Sequence, residues 1–317
     1  MRLSVLHDTQ YRYSPAVETA QHIAYLRPRE TACQQVVSHT LLVEPRPGQL
    51  STRTDAFGNQ ASHWSLAQAH DTLRVSARSE VITRSLPEQS STQSWEAVRE
   101  HFRYRSGHAA DPQNTFVFGS HHAPLHEAFT AYAKPCFAPD RALADAATAL
   151  MHQIHSDFTY ASQSTDIHTP ALQALQSRRG VCQDFAHILI ACLRSLGLPA
   201  RYVSGYLLTH PPEGQSRLVG SDASHAWASV YIPELADSDG QGWLDLDPTN
   251  DRLGWASPGE DYVQLAVGRD FADVSPLRGV LQGGASHTLE VGVTVEPLLN
   301  PEDPAHERLR HPEIPEH

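Results

Sequence analysis

Arg178-Arg-Gly-Val-Cys-Gln-Asp-Phe-Ala-His-Ile-Leu-Ile-Ala-Cys-Leu-Arg-Ser-Leu-Gly-Leu-Pro199 is the stretch that decides the fold. Phe185, Leu189, Cys192 and Leu196 recur at helical spacing and predict a helix over 182–196 with one apolar stripe. Gly197 and Pro199 supply its stop signal. Cys182 therefore stands where a turn passes into a helix. Free N–H groups and partial positive charge there favour thiolate over thiol, lowering a cysteine pKa from about 8.5 toward neutrality. The same N–H groups can hold the oxyanion formed when sulfur attacks a carbonyl. Gly180 lets the backbone turn tightly and leaves the sulfur approachable.

Downstream of the helix, residues 201–208, 225–232 and 243–246 read as strands that pair into an antiparallel sheet packed on it. Upstream, the first 85 or so residues alternate apolar and polar positions, as in 3–7, 40–43 and 73–81. Asp55-Ala-Phe-Gly-Asn59 lies between two such runs, and its Gly58-Asn59 pair suits the positive φ of a tight turn. From Ser94 to Ser177 the spacing turns helical, with Leu143, Ala147, Leu150 and Ile154 following an N-cap at Asp140. The fold class expected is α+β. Residues 1–90 form an N-terminal antiparallel β domain, 91–160 a helical layer joined to the core, 161–297 the core and 298–317 a flexible tail rich in Pro, Glu and His.

The chain has 317 residues with 24 basic and 36 acidic side chains, a formal charge of -12 that disfavours nucleic acid and anionic lipid. Four cysteines, Cys33, Cys136, Cys182 and Cys192, match neither C-x-x-C pairs nor a dense disulfide framework, so reduced thiols are expected. Cys192 lies on the apolar stripe and belongs to the core; Cys33 and Cys136 have no recognisable base near them in sequence and are structural. Nothing resembles a signal peptide or a membrane span, which places the expected protein in the cytoplasm without membrane partners. Among 20 histidines, His121, His122 and His126 include an i, i+4 pair. Pro124 interrupts it and no H-E-x-x-H run is present, so no metal is expected.

A thiol needs an imidazole to take its proton, and the imidazole needs a carboxylate on its other nitrogen. His225 opens one strand-like run, and Asp247 closes the next, at Trp243-Leu-Asp-Leu-Asp-Pro-Thr-Asn250. Asp245 is a rival, because period-2 alternation puts both carboxylates on one face. Register between the two strands is left open.

The G-V-C-Q-D-F-A-H run at 180–187, L-P-A-R-Y-V-S-G-Y-L at 198–207, H-A-W at 225–227 and D-P-T-N at 247–250 together resemble the bacterial transglutaminase-like superfamily. Tyr11-Arg-Tyr13, Leu26-Arg-Pro28 and Asp55-Ala-Phe-Gly-Asn59 are similar to the N-terminal domain that often accompanies its core. Pro258-Gly-Glu-Asp261 and Ala266-Val-Gly-Arg-Asp270 extend the likeness over nearly the whole chain except the tail. The resemblance implies a papain-like, transglutaminase-like core without a cofactor, in which Cys182 is nucleophile, His225 general base and Asp247 its orienting partner. The D-P-T-N position favours Asp247 over Asp245.

Lesser candidates flank these three. Tyr160, at the expected end of a helix, either offers its hydroxyl to an oxyanion or packs; Gln183 and Asp184 occupy the first helical turn, where Asp184 complements the helix dipole or binds a cationic group. Trp227 and Trp243 wall the cleft or fill the core. The expected reaction is acyl transfer through a thioester on Cys182 from a peptide, isopeptide or glutamine-type amide of a peptide or protein substrate, resolved by water. The alternatives are a true transglutaminase with a primary-amine acceptor, and a non-catalytic binding scaffold of the same fold. With Lys134 its only lysine, the chain is a poor substrate for its own crosslinking. The N-terminal domain is a further candidate for binding a partner while the core modifies it. Oligomeric state is not legible.

Overall fold

The computed structural model describes residues 1–104, 111–161, 169–209, 224–239, 241–284 and 286–298. Five strands open the chain: β1 (Arg2–Ala24), β2 (Gln34–Glu44), β3 (Leu50–Thr54), β4 (Gln60–Leu66) and β5 (His70–Thr83). Helices α1 (Trp95–His101), α2 (Glu127–Ala133) and α3 (Leu143–Asp157) follow, then β6 (Thr159–Tyr160), α4 (Ala171–Ser177), β7 (Arg179–Gly180) and α5 (Cys182–Ser195). Strands β8 (Ala200–Leu207), β9 (Ser224–Tyr231), β10 (Trp243–Asp247), β11 (Arg252–Trp255) and β12 (Tyr262–Gly268) build the core sheet; α6 (Phe271–Val274), β13 (Leu277–Gly283) and β14 (Ser286–Pro297) close the described chain. The fold is α+β, an N-terminal antiparallel sheet joined to a core of helices on a second antiparallel sheet.

The N-terminal sheet runs β2-β5-β1-β4-β3, with β13 and β14 also paired to β1. Alternation does this: Leu3, Val5, His7 and Thr9 of β1 and Leu73, Val75, Ala77, Ser79 and Val81 of β5 are buried while their neighbours are not. The turn between β3 and β4 is held by Asp55, whose Oδ1 accepts the N–H groups of Phe57 and Asn59, each at 2.8 Å. Gly58 alone takes the positive φ, +79°. Asn59 is instead buried and turned toward the core sheet.

The core expected over 161–297 needs correction at its C-terminal end. Residues 277–297, allotted to the core, pair antiparallel with β1 instead, Leu3 to Ser14 against Pro297 to Ser286 and Val17 to Ala24 against Gly283 to Leu277. Alternation identifies a strand but not its partner, and the open edge of β1 supplies unpaired backbone groups to be met. The tail beyond residue 298 lies outside the described residues. The Asp140 cap is also corrected. Ala142 precedes the first turn of α3, whose Leu143 N–H donates to the Gln93 carbonyl at 2.9 Å, and Asp140 adopts a φ of +60° just upstream.

Helix α5 is enclosed rather than striped: every residue from Asp184 to Arg194 is buried. The core sheet covers one side, and α2, α3 and α4 cover the others. The apolar spacing reports only the positions that are hydrophobic; His187 and Arg194 are buried through partners. Arg194 donates to the carbonyls of Ala200 at 2.8 and 3.0 Å and of Arg269 at 2.7 Å, and burial lowers its pKa to about 10, leaving it charged at neutral pH. Gly197, at φ +81°, ends the helix, and Leu198 N–H returns to the Leu193 carbonyl.

The core sheet runs β11-β10-β9-β8-β12 and is antiparallel throughout. Ala226, Ala228, Val230, Leu244 and Leu246 belong to the main core with the helices. Val203, Trp227, Tyr262 and Val267 make a second cluster on the other side, with Phe57 of the N-terminal domain packed on it. The two domains meet along β12. Gln34 Nε2 donates to the Gln264 carbonyl and its Oε1 accepts the Gln264 N–H, both at 2.8 Å. Asn59 does the same with Val267 at 2.7 and 2.8 Å.

Gly205 opposes His225 in the β8–β9 ladder. A Cβ there would lie 2.2 Å from the Val263 carbonyl oxygen and 2.6 Å from the Trp227 ring. Gly205→Ala is expected to cost about 1–3 kcal/mol by overpacking, read as a lower denaturation midpoint in urea with an unchanged slope.

Candidate active site

Cys182 is the first residue of α5, following Val181 in extended backbone. Val181 N–H donates to Asp184 Oδ2 at 2.8 Å, so the buried Asp184 serves the helix start rather than a substrate. Gly180 makes this possible by clearance, since a Cβ would sit 2.7 Å from Asp184 Oδ2; its φ is not positive, and the tight turn expected of it is not what it provides. All four cysteines are free, and Cys182 alone is not buried. Burial pushes the Cys33 thiol up to about 11 and the Cys136 and Cys192 thiols upward as well.

Strands β9 and β10 are direct antiparallel neighbours, with Leu246 opposite Ala228. That register carries the end of β10 to the start of β9, and His225 Nε2 donates to Asp247 Oδ2 at 2.7 Å. His225 is 8% exposed and Asp247 is 0% exposed. Burial lowers the His225 pKa, but hydrogen bonds to Asp247 and to Cys182, with their charges, outweigh it and raise the value to about 10. Because Nε2 faces Asp247, Nδ1 is the ring nitrogen left for the thiol.

Asp247 gathers further donors that the sequence reading missed. Its Oδ2 also accepts from Asn250 Nδ2 at 2.8 Å and Tyr262 Oη at 2.7 Å, and its Oδ1 from the backbone of Thr249 at 2.9 Å and Asn250 at 3.4 Å. Burial would raise the carboxyl pKa, yet the bonds from His225, Asn250 and Tyr262 hold it below its usual range. The backbone contacts are an Asx turn readable in D-P-T-N. Tyr262 left a fainter signal, a phenol opening a largely apolar strand, where it needs a buried partner.

Asp245 shares the face but not the surroundings. Its carboxylate accepts from Trp227 Nε1 at 2.7 Å and Ser229 Oγ at 2.5 Å, with the Arg201 and Arg29 charges nearby. Trp227 is 0% exposed and stacks beneath His225, ring centroids 6.0 Å apart. The cleft position considered for Trp227 is thereby corrected: its indole is committed to Asp245. Trp243 is buried too, under the Arg201 guanidinium at 3.8 Å.

Tyr160 does not end a helix; α3 stops at Asp157, and Tyr160 lies in β6 alongside Gly180 in a parallel pair with β7. It is 54% exposed, and its phenol is raised first by burial and then by the charge of Cys182. Gln183 is half-buried in the first turn of α5. His122 stacks on His187 at 5.2 Å, and His126 Nδ1 accepts the Ala128 N–H as the cap of α2. Among the described residues, no three His, Cys, Asp or Glu side chains group as a metal site.

Residues 130–248 match the transglutaminase-like superfamily core, and residues 3–82 match the bacterial transglutaminase-like N-terminal region. An uncharacterized protein of Mycobacterium tuberculosis is 40% identical over 303 residues, 94% of this chain and 93% of that protein. A protein-glutamine gamma-glutamyltransferase of Pseudomonas aeruginosa is 39% identical over 74 residues, 23% of this chain and 10% of that protein. In three dimensions, a Cytophaga hutchinsonii protein described as a candidate cysteine protease shares the fold, with a TM-score of 0.67 at 21% identity over 95% of this chain and 93% of that one.

The two aspartates of β10 should part company on substitution. Asp245→Ala strands the Trp227 N–H, the Ser229 hydroxyl and the Arg201 charge inside the protein, a loss of about 3–5 kcal/mol in denaturant melts. Asp247→Asn keeps the volume but turns an NH2 group against donors that the carboxylate accepts, a smaller loss of about 1–3 kcal/mol.

Proposed function

This chain belongs to the transglutaminase-like superfamily, and on that premise we propose that it is a cysteine acyl-transfer enzyme that cleaves amides through a thioester on Cys182. One observation carries the reading: His225, buried, lies between the Cys182 thiol and the Asp247 carboxylate, with Nε2 2.7 Å from Asp247. His225 takes the thiol proton and holds it as imidazolium before substrate binds, and Cys182 Sγ attacks the carbonyl carbon of a peptide, isopeptide or glutamine-type amide. The oxyanion is met by N–H groups at the start of α5, with the exposed Tyr160 lining the approach. The C–N bond then breaks, His225 gives its proton to the departing amine, and the acyl group remains on sulfur. Water, deprotonated by His225, attacks the thioester; the C–S bond breaks and the thiol is restored.

Water as acceptor is supported by Lys134 being the chain's only lysine, which leaves little for self-crosslinking. A second reading, transfer to a primary amine, is favoured by the 74-residue likeness to the Pseudomonas gamma-glutamyltransferase. Free thiols support a reducing, cytoplasmic setting. No helix among the described residues is long and apolar enough to cross a membrane.

Peptide libraries incubated with wild type and Cys182→Ala, with and without added primary amine, distinguish the readings by mass spectrometry. Cleavage unaffected by amine and absent in Cys182→Ala is expected; amine incorporation would select the transferase, and equal products from both proteins would defeat the enzyme reading. His225→Ala should lower turnover by about 10²–10⁴-fold.

The pH dependence follows from the two shifts. His225 is raised to about 10, so the imidazolium that protonates the leaving amine persists through neutral pH and is lost as pH rises through about 10. Asp247 is lowered, so its charge is lost only on acidification below the ordinary value of about 3.9. A kcat/KM profile flat across neutrality and falling near pH 10 is expected. The pair's contribution to stability is complete between about pH 3.9 and 6.5, and declines on either side as His225 or Asp247 titrates in the folded protein.

A further inference from the structure

Tyr262 opens β12, at the edge of the core sheet opposite β11, yet its hydroxyl reaches Asp247 on β10 and donates to Oδ2 at 2.7 Å, the oxygen that also accepts from His225. The two edges of the sheet come together here. Arg252 of β11 makes a two-pronged bond to Asp261, at 2.5 and 2.7 Å, one residue before Tyr262. The Tyr262 ring is held edge-on by Trp227, centroids 5.4 Å apart, with the Arg252 guanidinium 4.8 Å from its centre. Burial, followed by the charge of Asp247, pushes the phenol well above its ordinary range, so the group stays protonated and can only donate in this bond.

The outer side of β12 is the edge that an antiparallel sheet leaves unpaired. Here it is occupied by side chains of the N-terminal domain. The carboxamides of Gln34 and Asn59 each form a donor-acceptor pair with one residue of β12, Gln264 and Val267, and Arg29 N–H adds a bond to the Gln264 carbonyl at 3.0 Å. Asn59 is itself fixed by Asp55 Oδ2 at 2.8 Å. A continuous series of bonds thus runs from the β3–β4 turn through β12 to the Asp247 carboxylate.

We propose that Tyr262 is a positioning residue for the His225–Asp247 pair, and that the N-terminal domain keeps it in place through the grip of Gln34 and Asn59 on β12. The proposal rests on the acyl-transfer reading above and deepens it: the N-terminal domain supports the chemistry of the core as part of its structure. Without the hydroxyl, Oδ2 loses one of three side-chain donors. The carboxylate then protonates at higher pH and is freer to turn away from His225, which weakens the support for a thiolate on Cys182.

The test is the pH profile of Cys182 alkylation by iodoacetamide, followed on the full chain by mass spectrometry, which needs no known substrate. In wild type, Cys182 should react faster at pH 6–7 than it does in His225→Ala; equal rates in the two would defeat the acyl-transfer reading itself. Tyr262→Phe keeps the ring between Trp227 and Arg252 and should move the acid limb of the profile up by about one pH unit. An activated wild type with an unmoved Tyr262→Phe profile would overturn the positioning role alone. Asn59→Ala, or Gln34→Ala where the first does not fold, should shift the limb in the same direction by less, with no further shift when combined with Tyr262→Phe. A lowered melting temperature with an unmoved limb, or additive shifts in the combined variant, would overturn the part assigned to the N-terminal domain.

Discussion

Five donors converge on the carboxylate of Asp247: the His225 ring, the Asn250 amide, the Tyr262 hydroxyl and the backbone of Thr249 and Asn250. A fully buried carboxylate has to be neutralised or surrounded, and here it is surrounded. The donors come from β9, from the turn after β10 and from β12, so the anion can exist only if those three parts are in register. In turn the anion holds His225 as an imidazolium facing Cys182. The sheet order, the D-P-T-N turn and the seam between domains are all conditions for one charge to stay inside the protein.

Much of this is written in short-range patterns. Cys182 is legible because a glycine, a cysteine and a helical run with its stop signal are contiguous, and His225 and Asp247 because each ends a run of alternating residues. What alternation cannot carry is the identity of the neighbour. It makes Asp245 and Asp247 equivalent, yet one meets an indole and two arginines while the other meets an imidazole, since two residues along a strand is nearly 7 Å. It likewise identifies 286–297 as a strand without saying that β1 is its partner. The role of Tyr262 and the hold of Asn59 on β12 escape notice for the same reason: their significance lies in groups 15 and 208 residues away in sequence.

Polar side chains do the joining where backbone strands stop. Gln34 and Asn59 present to β12 the donor and acceptor that a sixth strand would have offered, at single points instead of along a ladder. Arg194 performs a comparable service at the end of α5, binding the carbonyls of Ala200 and Arg269. Each is expensive to bury unless every donor finds its acceptor, so each permits one arrangement of the segments it touches. Specificity of assembly is obtained from polar groups, and the bulk of the cohesion from the apolar residues around them.

The pairing of β1 with β14 joins residues 3–14 to residues 286–297. Seen from the ribosome, β1 must wait for a partner that is made much later. At a synthesis rate of about 5–20 residues per second, some 270 intervening residues take roughly 15–55 seconds. Throughout that interval β1 has β5 on one side and an open ladder of amides on the other. The nascent chain therefore carries an adhesive edge throughout that interval, until β14 is delivered to seal it.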